Sequence, residues 1–261
     1  MSQSPKKWGK GLSPEVYVIS YPKSGRTWLR ALVGKALSDQ YSLPEEKILE
    51  TEFMTINASI PCTSFTHDGW DMIFRRKWHE MPADRSKYKD NKIILLGRDV
   101  KDTLVSAYFQ ATKRIMVFDG SMSEFLRSEQ FGAMKLLKFY ETWWNARSIP
   151  KEILFVRYED LHLDTEVVLR QVLDFMGANE VRPDALRAAM EYASFQNLRQ
   201  AEESNRFKTR ILKAGRKGDP ESFKVRKGKV GGYREYLSMD DIQYVDGLLD
   251  EYGCEFSRNG H

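Results

Sequence analysis

A lysine and a glycine stand in a short turn between an apolar strand and an amphipathic helix. Val16–Ser20 is apolar and rich in β-branched residues, which predicts a buried strand. Pro22 and the pair Ser24-Gly25 predict a sharp turn, and the apolar residues of 28–37 recur on one face of a helix. The first N–H groups of such a helix lack internal partners, so together with Lys23 they could hold a phosphate or a sulfate.

The order of residues in this turn excludes a Walker A loop, in which Gly-Lys-Ser/Thr follows an earlier glycine. Here Lys23 precedes Gly25, and no early glycine is present. An ordinary strand-turn-helix unit with a solvated lysine fits the spacing equally well.

A second strand-turn-helix unit places a basic residue at its turn. Residues 92–96 predict a strand, and a helix is expected over about 101–111. Arg98 and Ser106 are separated by eight positions, slightly more than two helical turns, so a guanidinium and a hydroxyl could approach one anion. The alternative is that Arg98 pairs with Asp99 or Asp102 at the surface.

A basic run, residues 226–234, forms the third candidate anion site. Gly228 would let backbone N–H groups approach a phosphate, and Arg226 and Lys227 supply charge. Such runs are also typical of solvated surfaces, and residues 201–234 could form a nucleic-acid arm.

Taken together, these segments resemble the cytosolic-type sulfotransferases, which use 3′-phosphoadenosine 5′-phosphosulfate (PAPS) as the sulfuryl donor. Residues 21–28 resemble the family's 5′-phosphosulfate loop, with Arg26 where the family usually has Thr. Arg98 and Ser106 resemble its 3′-phosphate segment, and Arg226-Lys227-Gly228 resembles its Arg-Lys-Gly motif, although Gly232-Tyr233 replaces the usual Asp-Trp. The resemblance implies that PAPS is bound by Lys23, Ser24, Gly25, Arg26, Thr27, Trp28, Arg98, Ser106, Tyr158, Phe195, Arg226, Lys227 and Gly228.

The resemblance also implies an aromatic adenine site. Trp28 and Phe195 would stack on the base, and Tyr158 matches the family's Tyr-Glu-Asp segment. Ala193 stands where a Thr hydroxyl is usual. Core packing is the alternative role of all three aromatic residues.

His67 is the candidate general base, because Thr66-His67 resembles the family's Lys-Thr-His segment. A neutral imidazole can take a proton from an acceptor hydroxyl near pH 7. The lysine of that segment is Phe65 here, so its assistance is missing or comes from elsewhere. The predicted catalytic residues are His67 and Lys23, the latter stabilising the departing 5′-phosphate in an in-line transfer, and no metal is expected.

The acceptor is expected to be a small molecule with a hydroxyl or amine, such as an apolar or aromatic alcohol. Its pocket is predicted to be lined by Phe65, Trp70, Tyr108, Phe109, Met116, Phe118 and Trp143. The family's C-terminal dimer motif is not found, since residues 236–240 stand in its place; the oligomeric state is left open.

The length allows one large α/β domain or two small ones, and the alternation of strands and helices favours one. The chain has 261 residues, 41% of them hydrophobic, and a net charge of +4, which is too mild for nucleic acid as the main partner. Two distant cysteines, no signal peptide and no membrane span predict a cytoplasmic protein without a membrane partner.

The expected fold is a single domain over 1–261 with a central parallel sheet flanked by helices, the P-loop-like sulfotransferase fold. Residues 1–14 are expected to be a polar tail, and 200–225 a flexible, lid-like segment. The pattern further predicts a strand over 153–157 and helices over 48–54, 71–80, 123–147, 165–176, 183–192 and 239–252. Alternative functions are a P-loop-type nucleotide kinase and a non-catalytic adenine-nucleotide-binding module.

Overall fold

The computed structural model describes residues 13–207, 209, 211–216 and 218–258. A four-stranded parallel sheet forms its centre. The strands are β1 Val16–Ser20, β2 Thr63–Thr66, β3 Lys92–Gly97 and β4 Glu152–Arg157, and their order in the sheet is β2-β1-β3-β4.

Helices cover both faces of the sheet. They are α1 Arg26–Tyr41, α2 Thr51–Asn57, α3 Val100–Phe109, α4 Met122–Arg127, α5 Ala133–Asn145, α6 Tyr158–Leu163, α7 Thr165–Phe175, α8 Pro183–Tyr192, α9 Phe195–Glu203, α10 Met239–Tyr252 and α11 Glu255–Arg258. Alternate residues of the strands supply two buried clusters: Val18 and Ile94 pack with α1, α7 and α8, whereas Ile19 and Leu95 pack with α3, α5 and α10. The predicted single α/β domain with a parallel sheet is confirmed.

The register of the strands brings their carboxyl ends to one edge. Ser20 pairs with Leu96, Ile19 with Thr66, and Gly97 with Arg157. Because ligands of parallel sheets bind at this edge, the residues that follow the strands, including Lys23, His67, Arg98 and Tyr158, start from a shared position.

Several predicted helices are confirmed closely. Helix α8 begins at Pro183 and ends at Tyr192 as expected. The side chains of Asp164 and Ser238 cap α7 and α10 by accepting the N–H groups of Val167 and Asp241.

Three predicted helices differ from the structure. The helix expected over 48–54 begins later, as α2, and residues 71–80 form two short 3-10 turns, Met72–Phe74 and Trp78–Glu80. The single helix expected over 123–147 is broken into α4 and α5. A Cβ atom on Gly132 would lie 2.2 Å from the carbonyl oxygen of Leu126, so the chain turns there with its backbone in close contact.

Residues 1–12 of the predicted tail, 1–14, lie outside the described residues. The predicted lid, 200–225, begins inside α9, so its first four residues are helical. Among the described residues, no helix is long and apolar enough to cross a membrane.

Candidate active site

A cavity of about 480 Å³ opens at the carboxyl edge of the sheet. Its lining brings together residues that follow all four strands with residues from α9 and from the basic run, which come much later in the chain. Of the predicted site residues, the lining contains Lys23, Gly25, Arg26, Thr27, Trp28, His67, Arg98, Ser106, Tyr158, Phe195, Arg226, Lys227 and Gly228. The remaining predicted residue, Ser24, belongs to the loop after β1 and is fully buried.

The loop after β1 is shaped by two residues with positive φ. Lys23 has φ 76°, and Gly25, which precedes α1, has φ 93°. A Cβ atom on Gly25 would lie 2.4 Å from Cδ2 of Tyr158, so this position requires glycine for both its backbone conformation and its contact. Within the described residues, the N–H groups of Gly25, Arg26 and Thr27 donate to no acceptor, whereas the next one, of Trp28, is bonded to Gly25. The loop is thus a cradle of free donors at a helix N-terminus.

Lys23 carries the charge of this cradle. Its Nζ lies 3.4 Å from Oε1 of Gln110, just beyond α3. Burial, followed by the positive charges of Lys224 and Arg114, lowers the pKa of Lys23 well below its usual value. A nearby anion would restore the charged form.

Arg98 ties the cradle to the basic run. Its guanidinium donates to the carbonyl oxygens of Lys23, at 3.2 Å, and Lys229, at 3.0 Å. It also lies over the ring of Tyr158, 4.3 Å from the ring centroid. The alternative ion pair with Asp102 is long, 3.9 Å, and Asp99 caps α3, so Arg98 is directed at the cavity.

The basic run is held by a buried carboxylate. Asp102 accepts the N–H groups of Gly231, at 2.7 Å, and Tyr233, at 2.9 Å. Gly228, with φ 62°, passes so close to Phe195 that a Cβ atom would lie 2.8 Å from its ring. The run therefore folds back over the cavity.

Three charged side chains of this run, Arg226, Lys227 and Lys229, are paired with carboxylates within the described part of the chain. Arg226 donates to Glu221 and to the hydroxyl of Tyr236, and Lys227 is bonded to Glu235. This pairing argues against a solvated arm that binds nucleic acid. Arg226 is half-buried and lines the cavity.

The predicted adenine-site aromatics lie together in part. The rings of Trp28 and Tyr158 pack edge to face, with centroids 5.5 Å apart. His162, which sequence reasoning left out, packs on Trp28 and lies within hydrogen-bond distance of the Tyr158 hydroxyl. Its spacing of four from Tyr158 on a helix was the available signal. Phe195 is 38% exposed at the start of α9 and lines the same cavity.

His67 follows β2 and is held by the neighbouring strand. Its Nδ1 lies 2.7 Å from the carbonyl oxygen of Ser20, the last residue of β1. Since a carbonyl can only accept, Nδ1 carries the hydrogen and Nε2 keeps a lone pair. Burial, and next the charge of Arg26, lowers the pKa of His67 well below its usual value, so the ring is neutral at pH 7.

The residues predicted to line the acceptor pocket do not line this cavity. The cavity lining contains none of the seven side chains predicted for it. Trp70 and Trp143 are fully buried in the same hydrophobic cluster, and Phe65 lies under the guanidinium of Arg30. Trp70 and Trp143 therefore serve core packing, the alternative role of aromatic residues.

The lining also contains polar and charged residues that sequence reasoning did not assign to the site, four of which bear on its chemistry. These four are Asp71, Gln110, His162 and Lys224. The Nζ of Lys224 donates to the carbonyl oxygen of Ile211 at 2.7 Å. Within the described part of the chain, no group of three or more His, Cys, Asp or Glu residues could hold a metal ion.

Comparison of the chain with known proteins identifies its family. Residues 13–252 match the sulfotransferase domain. Cytosolic sulfotransferase 17 of Arabidopsis thaliana is 26% identical over 267 residues, which cover 94% of this chain and 76% of that protein.

Two solved structures share the fold. Mouse sulfotransferase SULT7A1 complexed with PAP superimposes with a TM-score of 0.64 at 19% identity, over 95% of this chain and 88% of that one. Retinol dehydratase in complex with androsterone and the inactive cofactor PAP gives 0.62 at 18% identity, over 92% and 80%. With a match that spans nearly its whole described length, the chain belongs to the sulfotransferase family.

Proposed function

We propose that this PAPS-dependent sulfotransferase transfers the sulfuryl group to a hydroxyl or amine of a small-molecule acceptor, with His67 as the general base. The observation that carries the proposal is the contact between Nδ1 of His67 and the carbonyl of Ser20. It directs the basic nitrogen of a neutral imidazole away from the strand, in the same cavity as the Lys23 cradle.

The donor set of the cavity fits PAPS. The free N–H groups of Gly25, Arg26 and Thr27, with the ammonium of Lys23, suit the 5′-phosphosulfate. Arg98 and Ser106 line the same cavity, and their guanidinium and hydroxyl suit the 3′-phosphate. The faces of Trp28 and Phe195 suit a purine. Because the side chain of Ser24 is buried, we propose that this residue shapes the backbone of the loop rather than binding PAPS through its hydroxyl.

When bound, PAPS supplies an activated sulfuryl group. His67 accepts the proton of the acceptor at Nε2, and Ser20 stabilises the resulting imidazolium through the Nδ1 hydrogen bond. Lys23 and the neighbouring N–H groups stabilise the charge that grows on the departing phosphate. Losing one such donor costs on the order of 3 kcal/mol in comparable sites.

Part of the cavity lining is apolar and suits an acceptor with an apolar body. Met72, Ile73 and Ile115 line the cavity, the first two shortly after His67 in the chain. Among structural neighbours, retinol dehydratase is described in complex with androsterone. We propose an apolar or aromatic alcohol on this ground, and a cytoplasmic location because the plant relative is named cytosolic.

Turnover of ³⁵S-labelled PAPS against a panel of alcohols, phenols and amines tests the proposal. His67→Asn keeps a donor for Ser20 but removes the titratable nitrogen, and should lower kcat by about 10²–10⁴-fold with PAP binding retained. His79→Asn is the matched control, since His79 is exposed beside Glu129. Transfer of label by His67→Asn at the unaltered rate would refute the base assignment.

A further inference from the structure

His67 is the first residue of a tight turn. Its carbonyl oxygen accepts the N–H of Trp70 at 2.9 Å, and the two residues between them, Asp68 and Gly69, have φ values of 50° and 82°. Two successive positive φ values are those of a type I′ turn, for which Asp-Gly is a favoured pair. The backbone position of the imidazole therefore depends on how firmly this turn is held.

The carboxylate of Asp68 anchors the turn inside the protein, where its side chain is only 1% exposed. Oδ1 accepts hydrogen bonds from the hydroxyl of Tyr88 and the ammonium of Lys87, each at 2.7 Å. Oδ2 lies 3.0 Å from Nε of Arg85. All three partners belong to residues 85–88, which precede β3. The turn after β2 is thereby joined to a second segment of the chain.

Arg85 gives this contact a fixed partner. It is 1% exposed, and its Nη1 donates to the carbonyl oxygens of Pro82 and Asp84, both at 2.8 Å. Its guanidinium also lies 5.3 Å from the centroid of the Trp143 ring. Because leaving a buried arginine without its carboxylate is strongly unfavourable, Asp68 and the turn that carries it are not free to move.

The imidazole needs two restraints. The hydrogen bond between Nδ1 of His67 and the carbonyl of Ser20 fixes one point of the ring, and a single bond leaves the ring free to pivot about that point. Asp68 supplies the second restraint through the backbone, because Nδ1 is already engaged and the carboxylate is bonded to residues 85–88. The two restraints together define where Nε2 lies.

We propose that Asp68 is the positioning residue of the general base. Its carboxylate holds the turn that begins at His67, so that Nε2 stays directed at the acceptor. The inference rests on the proposed function and adds to it a residue outside the cavity lining. Since proton abstraction requires a heavy-atom distance of about 2.6–3.2 Å, a small shift of the turn should be felt in turnover.

Asp68→Asn tests the proposal, because it removes the charge and keeps the shape, and asparagine tolerates the same left-handed backbone. With labelled PAPS, kcat should fall by about 10²-fold, the loss expected for a displaced reacting group. PAP affinity, measured by calorimetry, should stay within about twofold. Asp241→Asn is the matched control. It removes a buried carboxylate that pairs with Arg127 away from the cavity lining, and should leave kcat within about twofold.

A double-mutant cycle separates positioning from a general loss of structure. If Asp68 acts only through the base, adding Asp68→Asn to His67→Asn should change kcat by less than about twofold, because residues that act as a unit are not additive. ¹⁵N NMR of the imidazole, assigned with His67→Asn, gives a second readout that needs no turnover. The unaltered chain should show the Nδ1–H form, and Asp68→Asn should shift it toward a mixture of tautomers.

Equal losses of kcat with and without His67, or an equal loss in Asp241→Asn, would reduce Asp68 to a structural role and overturn the inference. If Asp68→Asn does not fold, Tyr88→Phe removes one donor to the carboxylate and should lower kcat by about threefold or more. An unaltered rate together with an unaltered His67 tautomer in that variant would then refute the inference.

The proposed function and the positioning role fail separately. If His67→Asn lowers the rate but Asp68→Asn changes neither kcat nor the tautomer, the function stands and the positioning role falls. If His67→Asn transfers label at the unaltered rate, the base assignment falls, and the tautomer of His67 in Asp68→Asn alone decides whether Asp68 positions the ring.

Discussion

Nδ1 of His67, after β2, lies 2.7 Å from the carbonyl oxygen of Ser20, at the end of β1. The base is therefore positioned by the strand that also leads into the Lys23 cradle. Any shift of β1 relative to β2 would move the base and the cradle with respect to each other, and their parallel register fixes both.

The pH dependence of the reaction should reflect the depressed pKa of His67. Because burial and the charge of Arg26 lower this pKa well below its usual value, the imidazole remains in its basic form as the pH falls through 6.5. The acidic limb of kcat/KM for PAPS, which reports the enzyme before PAPS binds, should therefore lie below pH 6.5. A half-maximal value at or above pH 6.5 would contradict the assignment.

PAP binding should take up protons near neutral pH. Burial, followed by the charge of Arg26, lowers the pKa of Lys224 to about 7, and a bound anion favours the charged ammonium. The affinity should thus fall as the pH rises above about 7, where the free ammonium loses its proton. Calorimetry in two buffers with different ionisation enthalpies measures the uptake. Lys224→Met should reduce it, and an uptake unchanged in that variant would contradict the prediction.

Gly25→Ala should impair both stability and PAP binding. The new Cβ would lie 2.4 Å from the Tyr158 ring at a φ of 93°, so the loop or the ring must move. We expect a loss of more than about 1 kcal/mol in the free energy of unfolding, measured with urea, and weaker PAP binding.

Gly247→Ala is the control for this substitution. Gly247 is exposed within α10, and a Cβ atom added to it would meet no neighbouring group within 4 Å. The same change should there stabilise the protein by about 0.5–1 kcal/mol. Equal effects at the two glycines would argue against a special role of Gly25.

Glu202→Gln should loosen the segment that carries Lys224. The fully buried carboxylate accepts the N–H groups of Lys224 and Val225 and pairs with Arg114 at 2.9 Å. Breaking a buried pair typically costs about 3–5 kcal/mol, and native-state proteolysis within residues 204–231 should accelerate. Glu203→Gln, next to it but exposed and paired with Arg199, should change stability by less than about 0.5 kcal/mol.

Local signals in the sequence sufficed for much of the fold. Buried strands, caps such as Asp164 and Ser238, and the start of α8 at Pro183 depend on neighbouring residues, and these predictions are confirmed. The break between α4 and α5 could not be predicted in this way, because it depends on how closely Gly132 approaches Leu126 in space.

The residues of the candidate site were likewise predicted only in part. Motif residues such as Lys23 and Arg98 reach the cavity because they directly follow strands of one parallel sheet. Trp143 was assigned to the acceptor pocket because the helical spacing of aromatic residues does not distinguish a buried core, where Trp143 lies, from a cavity wall. Lys224 was missed because its neighbourhood depends on Glu202, with which it shares no sequence motif.

The contact of Asp102 with Gly231 joins groups 129 positions apart. During synthesis, β1, β3 and α3 will have left the ribosome well before the residues that complete the nucleotide grip. A nascent chain can therefore assemble its sheet while still unable to hold the donor, and competence for binding should arise only once residues 226–234 have emerged.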